Sequence, residues 1–275
     1  MKRHSRINRR LRKITFIIFI IFIFFTLVAS SDTNYYQSLQ NTALTSNVNI
    51  TPSTSTPFIP SQQLNEQERF LATITHQLVN IPKYNTYEYT ILRAYGAVFI
   101  NQEPEIKLPE KVILDDEQET QYFQGNTRVA LVEGTRDCYL QKSAADAFNK
   151  ARILVNIPLK SGYSGDCTRS FVTNLRFWQK YANSGTLEKV KQGKETKILD
   201  TVAPPGTSQH LWGLAIDLRV SSPVQRQALN RNGWFQTVAN DIPHWTYLRW
   251  SEEDLPKFGL RAKTIRGITY WVTPI

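Results

Sequence analysis

Apolar and polar residues are spread unevenly along this chain, and the unevenness divides it. From Ile14 to Ala29 nearly every residue is Ile, Phe, Leu or Val. From Ser30 to about Gln63 the residues are mainly Ser, Thr, Asn, Gln and Pro, with too little apolar area to offset the entropy of ordering. Periodic apolar positions then begin. Leu64, Phe70, Leu71, Ile74 and Leu78 recur near a helical spacing. Ala144, Ala145, Ala147, Phe148, Ala151 and Leu154 give a second helix over 144–155. Phe171, Leu175, Trp178 and Tyr181 give a third, with Thr168 or Asp166 as its cap, and a fourth is expected near 222–231.

Strand patterns lie between these helices. Arg128–Val132 reads as a buried strand, and 245–250 and 268–272 as two more. Leu214, Ile216 and Leu218 alternate with Ala215 and Asp217, the period of a strand. Residues 88–125 read as short strands and turns, Ala97–Ile100 among them, and 185–207 as a long polar connection. Helices and strands mix without a βαβ repeat, so the expected class is α+β. The expected organisation is a leader over 1–31, a disordered Ser/Thr/Pro linker over 32–63, an accessory region over 64–125 and the main domain over 126–275.

Charge changes this picture less than its total implies. The chain carries a net +10, but Lys2, Arg3, Arg6, Arg9, Arg10, Arg12 and Lys13 precede the first apolar run. The remainder holds 26 basic against 23 acidic residues with no concentrated basic stripe, which argues against nucleic acid as a partner. Basic residues, an apolar run and then Ala29, Ser30 and Ser31 make the layout of a secretory signal peptide or an uncleaved N-terminal membrane anchor. Sixteen helical residues span only about 24 Å, slightly short of a hydrocarbon core of roughly 30 Å. Either way the basic side stays cytoplasmic and the rest of the chain lies outside, in an extracytoplasmic location. Cys138 and Cys167 are the only cysteines. Exported cysteines in even number can pair, and no Cys-x-x-Cys spacing favours the alternative of metal ligation.

The candidate chemistry is concentrated in Ser208-Gln-His-Leu-Trp-Gly-Leu-Ala-Ile-Asp217 and in Asp241-Ile-Pro-His244. His210, Asp217 and His244 make a three-ligand set that leaves a fourth zinc position open for water, as catalytic rather than structural zinc requires. Zinc acidifies its water, and a neighbouring carboxylate can then shuttle the proton; Asp241 is the candidate. His76, on the first helix with no partner in register, reads as an ordinary surface or core histidine. Asp166 and Asp200 read as solvated loop carboxylates.

The pattern Ser208-x-His210-x-x-Gly213-x-Ala215-x-Asp217, followed by an acid-x-x-His, resembles the D-alanyl-D-alanine carboxypeptidase family of zinc peptidases. The resemblance covers roughly residues 128–250. It implies one zinc ion on His210, Asp217 and His244, and a small central antiparallel sheet flanked by helices, of the Hedgehog/DD-peptidase type. Better-known members place Glu where this chain has Asp241. Many also carry Ser-Gly-Tyr-Arg, whereas here Ser161-Gly-Tyr163 is separated from Arg169 by five residues. If those five form an inserted loop tied by Cys167, Arg169 reaches the arginine position; otherwise it is an exposed helix residue. Ser208 corresponds to the serine that contacts the substrate's terminal carboxylate, or serves only a turn, and Tyr163 is a further substrate-binding candidate.

The resemblance thus implies a zinc carboxypeptidase of peptidoglycan stem peptides in the bacterial envelope. Two alternatives stand beside it: an L,D- or D,D-endopeptidase, and a wall- or zinc-binding module with weakened catalysis. A dipeptidase acting in the cytoplasm conflicts with the export signal.

Overall fold

A computed structural model describes residues 56–275. The leader and most of the linker expected over 32–63 therefore lie outside the described residues. None of the described helices is long and apolar enough to cross a membrane.

Residues 64–125 pack into the same compact unit as the rest, and they are helical. Helix α1 (Glu66–Ile74) starts at a capping box in which Asn65 and Glu68 satisfy each other's backbone N–H groups. Helix α2 (Tyr87–Tyr95) is capped by Thr86 and continues as a 3₁₀ turn over Gly96–Ile100; α3 (Glu117–Gly125) is capped by Asp116. This corrects the reading of 88–125 as strands and turns. Ala97, Val98, Phe99 and Ile100 are all buried to within 1% of complete. A run buried on every side carries no period, so strand and helix look alike in it.

Strands β1 (Val129–Leu131) and β2 (Tyr139–Gln141) form a two-stranded antiparallel ladder. Only Val132, just past β1, is fully buried; Leu131 is exposed, so the expected buried strand is an edge. Helix α4 (Lys142–Leu154) follows directly and buries the predicted alanines with Phe148, whereas Leu154 is exposed. Helix α5 (Phe171–Tyr181) is capped by Ser170 rather than by Thr168 or Asp166. Thr168 Oγ1 instead donates to the Tyr139 carbonyl. The polar connection contains α6 (Ser184–Lys191), capped by Asn183 and burying Val190, and a 3₁₀ turn over Lys197–Asp200.

The central sheet has the order β3–β5–β4, all antiparallel: β3 (Ala215–Asp217), β4 (Trp234–Phe235) and β5 (His244–Tyr247). Helix α7 (Pro223–Arg231) starts at a second capping box, Ser222 with Gln225, and Pro at its first position. Strand β5 stops before the expected 250, because Arg249 turns the chain with φ +76°. Strands β6 (Arg261–Ile265) and β7 (Ile268–Val272) close the chain as a hairpin. Mixed helices and small antiparallel sheets are what α+β predicted.

Candidate metal centre

The antiparallel register pairs Asp217 on β3 with His244 on β5. Directly opposed residues project from one sheet face with Cβ atoms about 5 Å apart. His210 comes from the 3₁₀ turn Gln209–Trp212, whose last carbonyls are capped by Gly213 at φ +66°. A Cβ at 213 would lie 3.1 Å from Thr168 Oγ1 and 3.2 Å from the Gln141 backbone nitrogen. Gly213 thus permits both the left-handed turn and the close passage that carries the chain from His210 into β3.

The three side chains converge. His210 Nε2 lies 3.2 Å from His244 Nδ1, and Asp217 Oδ1 lies 3.4 Å and 3.6 Å from these nitrogens. Ligands at about 2.0–2.1 Å from a tetrahedral ion stand roughly 3.3–3.4 Å from one another. Donor chemistry gives an independent test. His210 Nδ1 faces the Cys167 carbonyl at 2.8 Å, which can only accept, so the His210 proton sits there. Gln209 Nε2 donates to the Tyr95 carbonyl, which turns Gln209 Oε1 toward His244 Nε2 at 2.7 Å and places the His244 proton on that nitrogen. Two lone pairs and a carboxylate oxygen then meet with no hydrogen among them. That set fits a divalent cation.

Electrostatics agree. Burial, with the Arg169 charge next, lowers His210 to about 4, keeping the imidazole neutral. Burial acts to raise Asp217, but Arg169 and then the histidines outweigh it and hold the carboxyl well below the usual carboxylate range. Linkage fixes the sign for the metal-free protein. An unfolded histidine takes a proton near 6.5, the folded His210 only near 4, so stability falls as pH drops through that window. Calorimetry of chelator-treated protein is expected to show Tm falling from pH 6.5 to 4, with His210→Gln flattening the slope.

Arg169 is buried, not an exposed helix residue. Its Nη2 donates to Asp217 Oδ2 at 2.6 Å, its Nε donates to the Gly165 carbonyl, and its guanidinium lies 4.5 Å from the Phe177 ring centre. Nη1 has no protein partner among the described residues, and Arg169 lines the cavity above the triad. The loop that lengthens Ser-Gly-Tyr-Arg here is tied as expected: Cys138 and Cys167 are disulfide-bonded, with Cα atoms 5.3 Å apart. The same Cys167 supplies the carbonyl that orients His210. Asp166 is a correction, since it is 2% exposed and accepts hydrogen bonds from the Ser161 and Gly162 N–H groups, closing that loop internally.

Asp241 lines the same cavity, and among the described residues no donor reaches its carboxylate. Burial raises it to about 6, Asp217 adding to the rise while His244, Lys160 and Arg169 oppose it. Ser208 is buried in the cavity wall and its Oγ caps the His210 turn. Tyr163 is placed elsewhere: it is 41% exposed and lines a neighbouring surface groove with Leu159 and Arg136. His76 is exposed and packs against Phe58, as an ordinary surface histidine. Asp200, taken as solvated, accepts from the exposed Asn240 side chain.

Sequence reasoning passed over Gln209 and Lys160. Gln209 stands inside the motif between Ser208 and His210, and its role depends on Tyr95, far away in the chain. Replacing Gln209 with Leu is expected to lower metal affinity 10- to 100-fold, the usual cost of losing an outer-shell partner, measured by competition with a metal indicator.

Comparison with known proteins agrees with the motif. Residues 137–263, a little under half of the chain, match the family described as VanY, D-alanyl-D-alanine carboxypeptidase. This segment belongs to that family. Among solved structures, the vancomycin-resistance D,D-dipeptidase VanXYg in complex with a D-Ala-D-Ala phosphinate analogue aligns at 15% identity. The alignment covers 56% of this chain and 76% of that one with a TM-score of 0.29, too loose a superposition to support fold or activity. Among curated proteins none matches this sequence.

Proposed function

We propose that this protein is a zinc peptidase that removes the terminal D-alanine from peptidoglycan stem peptides. The observation that carries the reading is the convergence of His210 Nε2, His244 Nδ1 and Asp217 Oδ1, all unprotonated, inside a segment of the D-alanyl-D-alanine carboxypeptidase family. His210, Asp217 and His244 would hold the ion. A bound zinc supplies Lewis acidity, lowering the pKa of a water and polarising a carbonyl. Asp241, ionised, takes a proton from the attacking water and hands it to the departing amine. Its shorter side chain, compared with Glu, is compatible with this role because the turn through Asn240, at φ +64°, brings it to the cavity wall. Arg169 holds Asp217 in place through Nη2 and offers Nη1 to the carbonyl oxygen as charge develops there. Ser208, in the same wall, is positioned to contact substrate.

Asp241 and Arg169, the two departures from the family pattern, both line the cavity, which supports catalysis over a binding module with weakened catalysis. The basic and apolar leader supports a location outside the cytoplasmic membrane, anchored or secreted, with the polar linker as spacer.

Mass spectrometry of defined stem peptides incubated with the full chain, with and without a zinc chelator, tests the reading. Chelator-sensitive loss of one terminal alanine is expected. Release of a larger fragment would instead make the protein an endopeptidase, and no product from folded, zinc-loaded protein would make it a binding module with weakened catalysis.

A further inference from the structure

The cavity contains two carboxylates, Asp217 and Asp241, and two cations, Arg169 and Lys160. These cations are not equivalent. Arg169 is committed: one nitrogen is ion-paired with Asp217, another is bonded to the Gly165 carbonyl, and Phe177 covers a face. Lys160 is exposed, and among the described residues its ammonium has no hydrogen-bond or ion-pair partner. Its backbone, in contrast, is fixed. The Lys160 N–H donates to the Asp217 carbonyl at 2.9 Å, Leu159 bridges Leu218 in antiparallel fashion, and Arg219 Nε donates to the Lys160 carbonyl. Residues 159–160 therefore extend the central sheet by one short edge beside the strand that carries Asp217. A free cation on a four-carbon stem is thereby anchored one ladder step from the metal-binding triad.

A peptide ending in a free carboxylate must enter a cavity whose own carboxylates repel it. Arg169 cannot offset this alone, because its charge is already balanced by Asp217. The geometry points to Lys160 as the residue that recognises the free C-terminal carboxylate of the substrate, making the site selective for chain ends over internal bonds. The inference rests on the peptidase reading and deepens it by assigning the group that separates end trimming from cross-link cutting. Lys160 lines the cavity wall together with Asp241, His210 and His244, so its ammonium is within reach of a substrate seated there. An exposed cation acts mainly on specificity and on encounter rate, so the effect should weaken as salt rises.

The test compares an N-acylated Lys–D-Ala–D-Ala peptide with its C-terminal amide, using the full chain. In the first arm, binding to chelator-treated protein is measured by calorimetry, where no turnover occurs. Wild type should prefer the acid by about tenfold, the low end for a hydrogen bond between charged groups. Lys160→Met should bind both peptides equally, and Lys160→Arg should keep the preference. In the second arm, with zinc restored, Lys160→Met should raise KM for the acid about tenfold with little change in kcat. Absence of turnover by wild type would sink the peptidase reading, while the binding arm would still decide the role of Lys160. An acid that wild type binds no better than the amide, or an acid preference that survives in Lys160→Met, would overturn the assignment.

Discussion

Replacing Asp241 with Asn is expected to lower kcat by about 10²- to 10⁴-fold, the range for losing a positioned general acid–base group, while zinc binding stays intact. The pH profile carries more information than the size of the loss. Asp241 works only when ionised, and burial raises it to about 6 in the metal-free protein. A nearby divalent cation draws it lower. Wild-type kcat/KM should therefore rise with pH along an acidic limb at or below 6, and the residual activity of Asp241→Asn should lack that limb. Stability should move the opposite way. The folded protein holds a proton on Asp241 that the unfolded chain has released, so this carboxyl costs stability as pH rises from about 4 to 6. Asp241→Asn should then stabilise the metal-free protein at pH 7, by on the order of 1–3 kcal/mol. An Asn variant that keeps full activity would remove Asp241 from the mechanism. Asp241→Glu adds one methylene, and a misplacement of around 1 Å can cost on the order of a hundredfold. A loss in that variant would show a site shaped for the shorter acid, whereas a gain would show one that had drifted from Glu.

Loss of a metal ligand should be at least as severe. His210→Ala removes one of three converging donors, and its effect on zinc affinity should exceed the 10- to 100-fold expected for the outer-shell Gln209. Activity should disappear in parallel, and chelation of wild type should reproduce the effect reversibly. Thermal unfolding gives a readout independent of substrate. Zinc at a thousandfold excess over its Kd stabilises the folded state by about 4 kcal/mol. That corresponds to a Tm rise of roughly 10 °C for a unit of this size, and His210→Ala should show none of it. Equal zinc stabilisation of wild type and His210→Ala would place the ion elsewhere.

Much of the fold was legible where a pattern had one exposed face. Helices α1, α4, α5 and α7 each bury a stripe and expose the remainder, so their period shows in the sequence. Segment 88–125 misled because Tyr, Thr and Ile favour strands on a local view, while Thr86 and Asp116 as caps and burial on the core side made helices. The cap of α5 was missed for a related reason: Asp166, Thr168 and Ser170 all suit an N-cap, and only the paths of Ser161–Gly162 and Tyr139 decided which was free to serve.

For the site, the sequence by itself determined the donors, two imidazoles, two carboxylates and a serine, with a glycine between His210 and Asp217. It also determined that the two cysteines could pair. Tertiary structure decided what those donors do. The β3–β5 register sets Asp217 against His244, and a slip of one residue would send one of them to the opposite face. The Cys167 and Gln209 oxygens select the tautomers that turn both lone pairs inward. The Asp217 ion pair occupies Arg169 and leaves Lys160 free. Each of these depends on contacts between residues distant in the chain, and the direction of a proton or the balance of a charge is set by such neighbours rather than by residue type.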